Sequence, residues 1–204
     1  MKIKNYIVLF ICFINLSGCT YLKMATLHKP SDESVLFMNR YLKKVGTDTL
    51  YSYKLSCAHK DSLRIAKHSM NNYKLATGGK ASALQIRMYD SLGRFIYGWE
   101  QCFGDLQKSH ILDSLPFKEN KYLLVNKNLS LLNDICLLDI SKIEQDVFVK
   151  EIQKNEYTIL VLWAGWTGWY GRNMFRQINK YLKIHQKNHK ILFLKLNTTT
   201  NCIQ

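Results

Sequence analysis

The chain carries six cysteines, Cys12, Cys19, Cys57, Cys102, Cys136 and Cys202, and no two of them form a C-x-x-C pair. Disulfide exchange needs a thiolate nucleophile and a second sulfur to resolve the mixed disulfide. Any such chemistry here would have to run through distant thiols such as Cys102, Cys136 or Cys202, the last following the polar run Thr198-Thr199-Thr200-Asn201. His185 and His189 lie four apart, a spacing that can hold zinc once a third ligand arrives. No acidic residue lies between them, and a solvated helix end where His and Lys complement the dipole is the simpler reading. Cys57 and His59 form a second metal or nucleophile candidate, with a satisfied core pair as the plainer account. Ser/His/Asp triads and phosphate-cradling glycine loops are absent at recognisable spacing, and Gly78-Gly79 alone reads as a turn. Neither a metal nor a cofactor is expected.

The N-terminus positions the whole chain. Lys2 and Lys4 precede an almost wholly apolar run over residues 6–16. A spanning helix needs about 20 apolar residues, so this run has the dimensions of a cleaved signal peptide. Leu16-Ser17-Gly18-Cys19 follows and resembles the lipobox of bacterial lipoproteins. The resemblance implies cleavage after Gly18, acyl chains such as palmitate on Cys19, and a membrane anchor outside the cytoplasm. Residues 1–18 are then signal and 19–30 a lipidated tether. An uncleaved anchor is the alternative, and it too leaves the chain on a membrane. Each buried methylene of an acyl chain contributes about 0.8 kcal/mol. Thr20 after the lipid site, with no acidic cluster beside it, points to an outer-membrane protein facing the periplasm. In that oxidising compartment Cys57, Cys102, Cys136 and Cys202 would remain, with three possible pairings, and buried free thiols are an equal reading.

Charge narrows the partners. Lys and Arg number 29 against 15 Asp and Glu, a net charge of +14, two units of which leave with Lys2 and Lys4. Such an excess suits an anionic membrane surface and makes binding to any acidic partner salt-dependent. The lysines are scattered, and an exported lipoprotein seldom meets nucleic acid, so none is expected. The partners implied are the membrane, through Cys19, and an envelope protein.

Periodicity supplies the elements. Pro30 and Ser31 separate the tether from a helix whose apolar face is Val35, Met38, Leu42 and Val45, with Gly46 as its stop. Tyr51, Tyr53, Leu55 and Cys57 alternate as a half-buried strand. A helix over residues 61–73 would end at Thr77-Gly78-Gly79. Leu84, Ile86 and Met88, then Phe95, Tyr97 and Trp99, flank Asp90-Ser91-Leu92-Gly93 as a hairpin. A short helix over 104–114 and a strand over 121–126 follow. Past Leu129 come a strand at 135–138, a helix through Ile143, Val147 and Ile152, a continuously apolar strand at 158–163, a helix bearing Phe175, Ile178, Tyr181, Leu182 and His185, and a strand at 191–196. Apolar runs of this kind belong to parallel strands covered on both faces, and strand, helix, strand is a βαβ unit whose crossover should be right-handed.

Residues 135–197 resemble the thioredoxin-like superfamily: an apolar strand ends in Leu162-Trp163-Ala164-Gly165-Trp166 and turns into a helix with Arg172, Met174 and Phe175. The family continues with Cys-Gly-Pro-Cys-Lys, and here Thr167-Gly168-Trp169-Tyr170 stands instead, Thr167 in the place of the first cysteine and Tyr170 in that of the second. Helix dipoles lower a cysteine's pKa, but an aliphatic hydroxyl is far too weak an acid for the same help. The family's cis-proline loop, final hairpin and last helix have no counterpart after the unit, the only prolines being Pro30 and Pro116. Either the unit is incomplete, with an open strand edge or as a truncated remnant, or the earlier segment completes its sheet. The expected class is α/β with an α+β N-terminal part, divided into 31–128 of unknown role and 129–204 as a partial thioredoxin-like domain. The implied function is a redox-inactive envelope lipoprotein that binds or scaffolds, with Trp166, Trp169, Tyr170 and Arg172 as binding candidates. A thiol oxidoreductase or chaperone is the rival reading.

Overall fold

The computed structural model describes residues 33–55, 71, 84–100, 129–135, 138 and 142–198. The tether, Cys19, Cys57, Cys102, Cys136, Cys202, His59 and the elements expected at 61–73, 104–114 and 121–126 lie outside the described residues, apart from Asn71. The fold is α/β, built on one five-stranded mixed sheet. Its strands are β1 (Ser52–Lys54), β2 (Gln85–Asp90), β3 (Phe95–Glu100), β4 (Tyr157–Trp163) and β5 (Ile191–Asn197), and its helices α1 (Val35–Lys44), α2 (Leu131–Ile135), α3 (Lys142–Gln153) and α4 (Trp169–His185).

Across the sheet the order is β1-β5-β4-β2-β3. β4 and β5 run parallel in register from Tyr157↔Ile191 to Trp163↔Asn197, with α4 as the crossover. β1 adds to β5 in parallel, and β2 pairs antiparallel with both β4 and β3. The segment before Leu129 therefore completes the sheet around β4, which has a neighbour on each side, and strands from both sides of Leu129 share one hydrogen-bonded layer.

Local chemistry explains most boundaries. Ser34 caps α1, its hydroxyl accepting from the Phe37 N–H at 3.2 Å, and such a cap stabilises a helix by about 1 kcal/mol. The buried face is Met38, Tyr41 and Leu42, with Val45 packed partly against it. Val35, expected on that face, opens the helix and is 60% exposed, burial along α1 beginning one turn later at Met38. The hairpin forms where expected: the Asp90 carboxylate accepts from the Leu92 and Arg94 N–H groups, at 3.0 and 2.8 Å. β1 covers Ser52–Lys54 of the expected strand, and Leu55 after it bridges to Leu138 and donates to the Asn197 carbonyl, Ser56 and Cys57 lying outside the described residues.

Two expectations are corrected. No strand spans 135–138: Ile135 ends α2 and, among the described residues there, only Leu138 makes a bridge. Leu131 and Ile135, four apart, share one helical face and are both buried. In α3 Ile152 is buried as expected, but its partner on the buried face is Phe148, four residues earlier, while Val147 is exposed. α4 matches its expected face, burying Phe175, Ile178, Tyr181 and Leu182.

Two cores result. α1 and α4 cover one side of the sheet through Met38, Leu42, Met174 and Phe175 on Val161, Trp163 and Phe193. On the other side Phe148, Ile152, Leu131 and Ile135 pack on Leu160, Leu162, Leu194 and Leu196. No helix among the described residues is long and apolar enough to cross a membrane.

Candidate functional site

At the C-terminal end of β4 the chain leaves Trp163-Ala164, makes a 3-10 turn over Gly165–Thr167 and enters α4. Gly168 joins the two at φ +57 and ψ −118, a backbone region that penalises any side chain with a Cβ. This fixes where Thr167, Trp169 and Tyr170 point. Thr167 is buried, and its hydroxyl donates to the Ala164 carbonyl within its own turn. Tyr170 is 1% exposed and belongs to the α1/α4 core, so it is removed from the accessible binding candidates. Trp169, half-buried, meets the Tyr170 ring edge-on at 5.5 Å. Trp166 and Arg172 are half-buried, and Trp163 is wholly buried.

The turn is closed from above by the N-terminal segment. Glu33, just ahead of α1, is 5% exposed; one carboxylate oxygen accepts from the Trp166 N–H at 3.2 Å and the other from the Asn197 side-chain amide at 2.8 Å. A single carboxylate thus bridges the ends of β4 and β5. Room for it comes from Gly165, where a Cβ would stand 2.5 Å from the Phe37 ring and 2.7 Å from the Glu33 carboxylate. The Tyr41 hydroxyl sits over Gly171, where a Cβ would meet it at 2.7 Å and the Thr167 hydroxyl at 2.6 Å. Its ring stacks on Trp163 at 4.9 Å. Burial holds the Tyr41 phenol above its usual range, against the pull of Arg172 and with a smaller push from Glu33.

α1 is fastened further along as well. Asn179 on α4 donates to the Val45 and Gly46 carbonyls and accepts from Thr47. Lys195, buried on β5, reaches Asp48 at 2.9 Å and lies 4.6 Å from the Phe193 ring centre. Burial lowers its pKa, opposed by the Asp48 hydrogen bond and charge.

A second buried polar group lies on the opposite face. Arg87 donates to both Asp134 oxygens at 2.8 and 2.9 Å and to the Gln85 side-chain carbonyl at 3.1 and 2.8 Å. The Tyr89 hydroxyl donates to Asp134 as well. All four residues are at most 1% exposed. Burial, then the Asp134 charge, raises the Tyr89 pKa well above its ordinary value, with Arg87 opposing.

Chemically, the turn offers one hydroxyl tied to a carbonyl, beside a carboxylate engaged by two N–H donors. That arrangement closes and orders a loop, and it holds no sulfur. His185 lies 4.3 Å from the Tyr181 ring, and His189 meets Glu156 at 2.8 Å. Among the described residues no group of three His, Cys, Asp or Glu could hold a metal. Sequence spacing gave no sign of Glu33 or Tyr41, since Glu33 bonds a residue 133 positions away, nor of the Arg87 group, which alternates along β2 where solvent would be assumed. No protein-family model, curated protein or solved structure matches the chain.

Proposed function

We propose that the protein is an envelope-anchored lipoprotein, lipidated on Cys19, whose thioredoxin-like module is redox-inactive and serves binding or scaffolding at the outer membrane. The carrying observation is that Thr167, in the place of the family's first cysteine, is buried with its hydroxyl tied to the Ala164 carbonyl, in a turn that Glu33 holds at the Trp166 N–H and Tyr41 packs against at Gly171. A dithiol enzyme must present its attacking sulfur to a protein substrate; here the position has a hydroxyl and a lid of its own chain. Support for the thioredoxin-like assignment comes from the sheet. β5-β4-β2-β3 is a βαβ unit flanked on its β4 side by an antiparallel hairpin, the hairpin being supplied by the chain before the unit rather than after it. Trp166, Trp169 and Arg172, half-buried at the rim of the closed turn, are the surface left there for an envelope partner.

An insulin-reduction assay on the chain from residue 19 onward tests the redox part, with no turnover expected. Turnover that disappears in Cys102→Ser or Cys202→Ser would overturn it. Cys19→Ser in the full chain should release the protein from membranes washed at high salt, which removes purely electrostatic binding, and end fatty-acid labelling; persistence of either would defeat the anchor.

A further inference from the structure

The outer surface of the α1/α4 layer is charged in one sense only. Neither helix contains an Asp or a Glu, and Arg40, Lys43 and Lys44 of α1 and Arg176, Lys180 and Lys183 of α4 are all exposed. Spacing places them in stripes: Leu36, Arg40, Lys43 and Lys44 recur at helical steps along α1, and Arg176, Lys180, Lys183 and Ile184 do so along α4. Both helices bury their other faces in the same core, so the two stripes face outward from one side of the sheet. Apolar side chains share that surface: Val35, Leu36 and Phe37 in the first turn of α1 are 60%, 61% and 44% exposed, and Ile184 is 49% exposed. On the opposite side α3 mixes its signs, with Asp146 and Glu151 beside Lys150.

We infer that the α1/α4 face is a docking surface for an anionic phospholipid bilayer, with the Val35-Leu36-Phe37 turn entering the headgroup layer and the two basic stripes lying against it. Charge complementarity and the chain's own route argue for this occupant. A face of cations with interspersed large apolar side chains fits the boundary between charged headgroups and acyl chains. The apolar turn opens the first described helix, and the residues between Cys19 and Glu33 span at most about 50 Å when extended. A tether of that length leaves orientation open, so the face that meets the lipid is chosen by the surface itself. The sheet's opposite layer, and with it α3, then points away from the membrane. For its location in the cell this inference rests on the lipoprotein reading; the docking itself does not.

The test uses the chain from residue 19 onward carrying Cys19→Ser, which holds every described element and no lipid, so a failed lipobox leaves its result untouched. Flotation with vesicles of phosphatidylcholine alone is compared with flotation on an equal mixture of phosphatidylcholine and phosphatidylglycerol. Binding to the mixture alone, declining as salt is raised, is expected. Each cation near such a surface contributes about five-fold in partitioning, so Arg176→Glu with Lys180→Glu and Lys183→Glu should weaken it by about a hundred-fold or more. The same change of net charge at Lys150, Lys154 and Lys190, exposed away from those stripes, should have a much smaller effect, and Leu36→Asp should weaken binding with the charges in place. Equal losses from the two charge triples would reduce the effect to net charge and overturn the assignment of a face. Binding to heparin but to neither vesicle would overturn the lipid occupant in favour of a polyanion.

Discussion

Beneath α2 and α3 the sheet carries a charged group sealed from water, Arg87 with Asp134, Gln85 and Tyr89, whereas beneath α1 and α4 it is mainly apolar and the polar contacts gather towards the ends of α1. The first arrangement is central and mutually dependent: Asp134 on a five-residue helix is held by two residues of β2. The second is a row of separate fastenings, Glu33 at one end of α1 and Asn179 and Asp48 at the other. One face should therefore fail as a unit and the other by stages. A helix held by stages can loosen at one end without unfolding the sheet.

The largest expected effect breaks the sealed group. Asp134→Ala leaves Arg87 charged and without its carboxylate, and removal of one partner of a buried pair costs about 3–5 kcal/mol; urea unfolding should show it. Replacing both partners, Arg87→Met with Asp134→Leu, should restore most of that loss, and equal losses for the single and double variants would show that the ion pair itself stabilises. Next in size is Gly165→Ala. Its Cβ collides with Phe37 and Glu33, overpacking of this kind costs about 1–3 kcal/mol, and the loss should appear as faster proteolysis around α1 with the sheet intact. Loss of sheet structure together with α1 would show that the two layers are coupled.

Smaller again, Ser34→Ala removes the α1 cap and should cost about 1 kcal/mol, read as a shift in the unfolding midpoint. The mildest test is alkaline pH. Tyr41 and Tyr181 on one side of the sheet and Tyr89 on the other all have raised phenol pKa values, burial being the leading cause in each. Above about pH 10 the unfolded chain loses those protons first, so it binds fewer than the folded one and stability falls as pH rises. Phenolate absorbance from these three should appear together with unfolding, and a gradual rise in a still-folded protein would place them in reach of water.

What could be read from the sequence follows from how local each feature is. β4, α4 and β5 were legible because an unbroken apolar run and a clean helical stripe state their own burial, and the 84–99 hairpin because Asp90 and Gly93 specify its turn. Ile135 was misassigned for a reason of scale: a short apolar run fits the start of a strand and the end of a helix equally. Arg87 was missed because alternation along β2 marks one face apolar and leaves the other to be taken as wet, when α2 in fact covers it. Glu33 sits in a polar stretch that reads as the edge of a tether. Only the fold brings it to Trp166.

The order of the strands also governs how the protein can be made. β1, β2 and β3 come early in the chain, yet among the described strands β2 finds its inner neighbour in β4 and β1 its neighbour in β5, each more than sixty residues further on. Loops of that length must close before any of these pairings stabilises, which slows folding. A nascent chain consequently exposes Arg87 and its strand until β4 emerges, and has no finished sheet until β5 follows. Such a protein depends on being kept from premature association while it is synthesised, and it acquires its shape almost in a single closing event.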